Sequence, residues 1–149
     1  MTAAISLPTS AIGVRLATDA DLPFIQDSWH RSAMRQLPTY AEHWGLGRAQ
    51  WLSQQISHCI RTGLVFVAVV EDYPDVVLGW TCVAPTDVAH YVYVKHDARR
   101  MGIAKELLRG CGLQERGVRM TFRPPKALRA VANARGWVYR AMTRKEMGA

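Results

Sequence analysis

Acidic residues are what the C-terminal third of this 149-residue chain has least of. Residues 95 to 149 hold 14 Lys and Arg against 4 Asp and Glu (14 − 4 = +10), whereas residues 1 to 94 hold 5 against 8 (5 − 8 = −3). An imbalance this one-sided suits contact with something anionic, such as a phosphate-bearing ligand. Cysteine is also scarce. Cys59, Cys82 and Cys111 are odd in number, far apart and each inside an apolar element, which argues against a disulfide framework or a metal site and fits a reducing, cytoplasmic setting. Long apolar runs are missing as well: nothing approaches the roughly 20 residues that a membrane-spanning helix needs, so a soluble chain with no membrane partner is expected. The first fourteen residues lack charge, yet they have no basic n-region and are broken by Pro8 and Gly13, so residues 1 to 13 read as a short leader.

What remains is the composition of an ordinary globular protein. With 49% hydrophobic and 21% charged residues, no repeat and no low-complexity tract, the chain is expected to form one domain over residues 1 to 149. Val14 to Thr18 alternates like a strand, and Thr18 with Asp21 forms a capping box ahead of a helix whose Leu22, Ile25 and Trp29 share a face. An irregular stretch from Met34 to Gly47 carries Tyr40, His43 and Trp44, and a second helix is expected from Arg48 to Arg61. Three strands follow, Leu64 to Val70, Val76 to Val83 and Val88 to Val94, with short turn-like links that suit an antiparallel meander. After Gly102 a helix buries Ile103, Leu107, Leu108 and Cys111 and stops near Gly112 or Gly117. "VRMTF" reads as a strand, "PPKALRAVANARG" as a Pro-started, Gly-ended helix, and "WVYRAMT" as the last strand. The order β-α-α-β-β-β-α-β-α-β gives an α/β fold with a mixed, mostly antiparallel central sheet flanked by helices.

The stretch "YVYVKHDARRMGIAKELL" joins strand to helix through a glycine between basic residues. Gly102 and Ala104 allow close approach to the backbone, the free N–H groups and positive dipole end of the helix favour an anion, and Arg99 and Arg100 add charge. Here the chain resembles the GCN5-related N-acetyltransferases, whose pyrophosphate-binding signature Q/R-x-x-G-x-G/A between the fourth strand and third helix is matched by "RRMGIA" (Arg99, Gly102, Ala104). The valine often found five residues before the signature is Val94. The resemblance covers most of the chain, since "VRLATDADLPFIQDSW" is similar to the family's first strand and helix. It implies acetyl-CoA as co-substrate. Backbone amides over Arg100, Met101, Gly102, Ile103, Ala104 and Lys105 would hold its pyrophosphate. Val92, Tyr93 and Val94 would pair with its pantetheine arm where the fourth and fifth strands splay.

Direct transfer to an amine needs a neutral nucleophile, a donor for the oxyanion and a proton for the departing thiolate. The resemblance suggests a backbone N–H near Val92 to Val94 for the oxyanion. His90 is the first candidate base, because an imidazole titrates near neutral pH and sits on the fourth strand, and Asp87 at that strand's start is the second. The tyrosine many relatives carry four residues before a Gly-aromatic pair is Ala132 here, ahead of Gly136-Trp137, and a common asparagine aligns with Pro125. Tyr139, Tyr91 or Tyr93 are then the candidate acids. The segment Ser28 to Trp44 falls where the family shapes its acceptor site. His30, Tyr40 and His43 are candidate lining there, whereas Trp29 and Trp51 read as core. It has no acidic cluster to hold a polycationic acceptor.

The acceptor class stays open between small-molecule and protein amines. Two other readings stand beside it: an acyl-CoA-using nucleobase-modifying enzyme similar in architecture to the phage Mom proteins, whose nucleic acid would meet the basic C-terminal third, and a CoA-binding module without turnover. Either a monomer or a homodimer fits.

Overall fold

The computed structural model describes residues 12–35, 47–85, 87–99, 102–113, 117–143 and 145–147. One six-stranded sheet organises them, in the order β1 (Ile12–Leu16), β2 (Leu64–Val70), β3 (Tyr73–Ala84), β4 (Val88–Val94), β5 (Arg119–Met120) and β6 (Val138–Tyr139). β1 to β4 are antiparallel, and β5 and β6 join in parallel. Four helices flank the sheet: α1 (Leu22–Met34), α2 (Arg48–Thr62), α3 (Ile103–Gly110) and α4 (Lys126–Ala134). This is the expected mixed, mostly antiparallel α/β architecture. None of the described helices is long and apolar enough to cross a membrane.

Both sheet faces are covered because the strands are apolar on both sides. On one face α1 and α2 bury Ile25, Trp29, Trp51, Leu52, Ile56 and Cys59 against Val67, Trp80 and Tyr91. Trp29 is the hub, with its ring centroid 5.0 Å from that of Trp80 and 5.1 Å from that of Phe122. Ser28 ties the layers together, accepting from Trp80 Nε1 at 2.9 Å and donating to the Phe24 carbonyl at 2.7 Å. On the other face α3 presses Ile103, Leu107 and Leu108 onto Leu78, Val92 and Val94. Close approach there depends on Gly79, where a β-carbon would come within 2.5 Å of the Tyr93 carbonyl oxygen and 3.2 Å of Ile103.

Several boundaries differ from the sequence expectation, each for a local reason. β1 begins at Ile12, which pairs with Val70, so Ile12 and Gly13 belong to the sheet and not to a leader over 1 to 13. It ends at Leu16. Asp21, not Thr18, is the N-cap of α1; its carboxylate accepts from the Thr18 N–H at 2.8 Å and from Arg15 Nη1 at 2.7 Å, so half of the capping box has become an ion pair. That pairing lowers the pKa of Asp21, chiefly through the Arg15 hydrogen bond. β3 starts three residues before Val76, at Tyr73. α3 closes at Gly110, short of both predicted stops. β5 and β6 shrink to two residues each. The carbonyls of Arg140 and Ala141 accept from Arg119, at 3.0 and 2.9 Å, leaving that stretch tied to a side chain in place of a strand. Arg119 also holds Glu146, which forms its own reciprocal cap with Thr143. Tyr40, His43 and Trp44 lie outside the described residues.

Candidate active site

The register of β4 sets which way its backbone groups face. Cys82 pairs with Tyr91 but Val83 pairs with Ala89, so His90 is the extra residue of a β-bulge. Beyond the bulge, Lys95 N–H donates to the Leu78 carbonyl at 2.9 Å. Antiparallel bonding alternates, so Tyr93 and Tyr91 share this orientation toward β3, and the backbone groups of Val92 and Val94 face the opposite edge. At that edge β5 pairs only through Val88–Arg119 and Ala89–Met120, with a last bond from Thr121 N–H to the Ala89 carbonyl at 3.3 Å. Past it the chain leaves through Pro124 and Pro125 toward α4, and the two strands splay.

Below the splayed edge, β4 gives way to a 3₁₀ turn (His96–Ala98), which the sequence expectation did not include, and then to α3. Gly102 is the N-cap of α3 at φ 76°, and a β-carbon there would meet nothing within 4 Å. The first helical bond is from Glu106 N–H to the Gly102 carbonyl, so the N–H groups of Ile103, Ala104 and Lys105 lie ahead of it. Arg99 is exposed and its Nε donates to the Val94 carbonyl at 3.3 Å. These pieces wall a groove of about 720 Å³: Tyr93 and Val94 from β4, Arg99 and Gly102 from the turn, Ile103 to Lys105 from α3. The opposite wall is Pro125, Leu128 and Val131 of α4. Arg100 and Met101 lie outside the described residues.

The same three α4 residues also line a smaller cavity of about 30 Å³ in the splay, with His90, Tyr91 and Val92 on its β4 side and Met120 and Phe122 opposite. His90 is 5% exposed, and its Nδ1 lies 2.6 Å from Thr121 Oγ1. Burial pushes its pKa down to about 4, with nearby His58 and Arg119 adding to the effect against a smaller opposing pull from Glu146. The ring is therefore neutral at physiological pH. Tyr91 is buried beside it, with its hydroxyl 2.6 Å from Ser32 Oγ and its pKa pushed up to about 12 by desolvation, so it keeps its proton.

Of the residues singled out from sequence, His90, Val92, Tyr93, Val94, Arg99, Gly102, Ile103, Ala104 and Lys105 line these two connected spaces. Asp87 and Tyr139 do not. Asp87 occupies the β3–β4 turn at φ 58°, its carbonyl accepting from the Arg119 N–H, and Tyr139 lines a separate cleft beside α4. Trp29 and Trp51 are core, as expected. Thr121, Ser32 and the α4 wall were missed. The wall had a readable signal, apolar residues three apart at Pro125, Leu128 and Val131, with Val131 still 38% exposed. The partners of His90 and Tyr91 had none, because both are long-range contacts.

No protein-family model and no curated protein sequence matches the chain. Solved structures do resemble it. One, described as histone acetyltransferase HPA2 and related acetyltransferase from Corynebacterium glutamicum, is 19% identical over 68% of this chain and 70% of that one, with a TM-score of 0.48. Two GCN5-related N-acetyltransferases follow. The Kribbella flavida protein is 23% identical over 70% of this chain and 64% of its own, at 0.45. The Rhodopseudomonas palustris protein is 14% identical over 66% and 62%, at 0.46. The chain thus spans less than two thirds of the length of these last two. At such levels none of them assigns it an acceptor or an activity.

Proposed function

We propose that this chain is an acetyl-CoA-dependent N-acetyltransferase of the GCN5-related type, passing an acetyl group directly to an amine. The observation that carries this reading is the groove itself: the left-handed Gly102, the leading amides of α3 and the outward backbone edge of β4 form one continuous wall, ending in the splay beside His90. The residues fit a CoA-shaped guest. Amides and Arg99 at one end suit a pyrophosphate, and the narrow, apolar splay suits a thioester arm.

Bound acetyl-CoA supplies an acyl carbon on which the amine forms a C–N bond as the C–S bond breaks, the displaced amine proton ending on sulfur. The N–H of Val92 or Val94 is oriented toward the open edge, where it stabilises negative charge on the acyl oxygen. His90 enters unprotonated and accepts from the amine, with Thr121 fixing its ring. Tyr93, which lines the groove, is better placed than Tyr139 to donate a proton, and Tyr91, hydrogen-bonded with Ser32 Oγ, keeps its own.

The test is incubation with acetyl-labelled CoA and separate pools of small amines, protein, DNA and RNA, alongside a calorimetric titration of acetyl-CoA. Label transferred to an amine pool, and lost in His90→Gln, supports the reading. Label on nucleic acid favours the nucleobase-modifying alternative, and binding without any transfer favours a CoA-binding module. Failure to bind acetyl-CoA overturns all three.

A further inference from the structure

On the next face of α4 lies a cleft of about 320 Å³ with a different chemistry from the groove. Its described lining includes Arg123, Arg129 and Asn133, with no Asp or Glu. Arg123 is held over the Tyr139 ring at 5.2 Å, and Arg129 Nε reaches the Pro124 carbonyl at 3.5 Å. At the rim Arg135 sits over the Trp137 ring at 5.8 Å.

The cleft adjoins the splay. Met120, Pro124, Ala132 and Trp137 line both spaces, and Ala132, only 4% exposed, puts no more than a methyl group into the shared wall. We propose that this cleft binds the anionic group, a phosphate or a carboxylate, of a small amine acceptor whose nitrogen is presented to the splay past Ala132. The inference rests on the acyl-transfer reading above and names the substrate class of that site. Two arginines and an asparagine on a concave surface whose described lining holds no Asp or Glu match an oxyanion by charge and by hydrogen-bonding capacity. The volume is that of a small ligand pocket and not of a track for a nucleic-acid strand, which follows an extended open surface through many phosphates.

The test uses matched amines at fixed ionic strength with saturating acetyl-CoA: ethanolamine against phosphoethanolamine, and propylamine against β-alanine. The two pairs separate phosphate from carboxylate. The anionic member of one pair is expected to show at least about a tenfold higher kcat/KM, and the Arg123→Gln/Arg129→Gln double variant to bring that ratio toward one through the KM of the anionic amine. Equal rates within both pairs overturn the proposal, as does a KM for acetyl-CoA that rises in the double variant, which would assign the cleft to the cofactor. Exclusive labelling of nucleic acid also overturns it. Independently of turnover, titrating phosphoethanolamine and β-alanine into ¹⁵N-labelled protein should shift the Trp137 indole resonance, and the double variant should abolish that shift. No shift with either sinks the cleft while leaving acetyl-CoA binding, read by calorimetry, to judge the acyl-transfer reading.

Discussion

At the scale of single residues, His90 carries the sharpest pH signature. Its folded pKa of about 4 lies below the ordinary 6.5, so between these values the unfolded chain binds more protons and stability falls as pH falls. The full loss, reached below pH 4, is on the order of 3 kcal/mol at 1.36 kcal/mol per unit. Glu146, held down to about 2 first by the Arg119 hydrogen bond and then by the Thr143 N–H, adds a second loss as pH falls from 4.5 toward 2. Urea midpoints across pH 2 to 8 should show both windows, with His90→Gln flattening only the upper one and Glu146→Gln only the lower. In activity, the acidic limb should follow the pKa of the amine acceptor with no break near 6.5; a break there would show a solvated, ordinary imidazole at His90. Sequence named His90 and its strand, and could not reveal the bulge at this position or the contact with Thr121. Gly102 was legible as the residue that opens α3. Gly102→Ala should cost about 1 kcal/mol of stability, because a β-carbon is strained at φ 76° though nothing crowds it. Acetyl-CoA affinity by calorimetry should fall further than this small stability change explains.

At the scale of elements, the site is a consequence of two strands that stop pairing. β4 is long and apolar, and its periodicity announced it from Val88 to Val94. β5 looked equally strand-like over five residues, yet only Arg119 and Met120 pair, because the following Pro124 and Pro125 cannot donate to a ladder and turn the chain toward α4. Local propensity describes a residue's fitness for a strand, while pairing needs a neighbour at the right distance. Arg119 takes over where the ladder ends, tying Arg140, Ala141 and Glu146 to β5. Arg119→Ala should therefore cost about 2 kcal/mol by urea unfolding, roughly one charge-assisted interaction net of solvation. Protection from amide exchange should be lost first over Val138 to Met147. A loss of protection spread evenly through the sheet would show that the clamp is not local.

At the scale of the whole molecule, the aromatic core and most of the candidate binding surface lie on opposite faces of the sheet. The α1–α2 face holds the aromatic core around Trp29, which is 0% exposed; Trp29→Ala should cost about 3 to 5 kcal/mol in urea unfolding, as large-to-small core changes do. The α3–α4 face carries the groove, the splay and the basic cleft, and Arg99, Lys105, Arg123 and Arg129 of the basic C-terminal third line them. Acetyl-CoA binding should accordingly weaken as salt rises, since arginines such as Arg99 are exposed and screened. Salt-independent affinity would place the binding energy in the apolar α4 wall.

The sequence by itself determined the element order, the two apolar faces, the glycine that opens α3 and the basic charge of the C-terminal third. Each of these is written in local periodicity, in a residue's conformational freedom or in net charge. Only the tertiary structure decided where β4 and β5 part, that α4 supplies the facing wall, that His90 is buried and neutral, and that Arg123 and Arg129 line one cleft with Ala132. These depend on residues far apart in the chain reaching one place, and on the desolvation that follows, which no local pattern encodes.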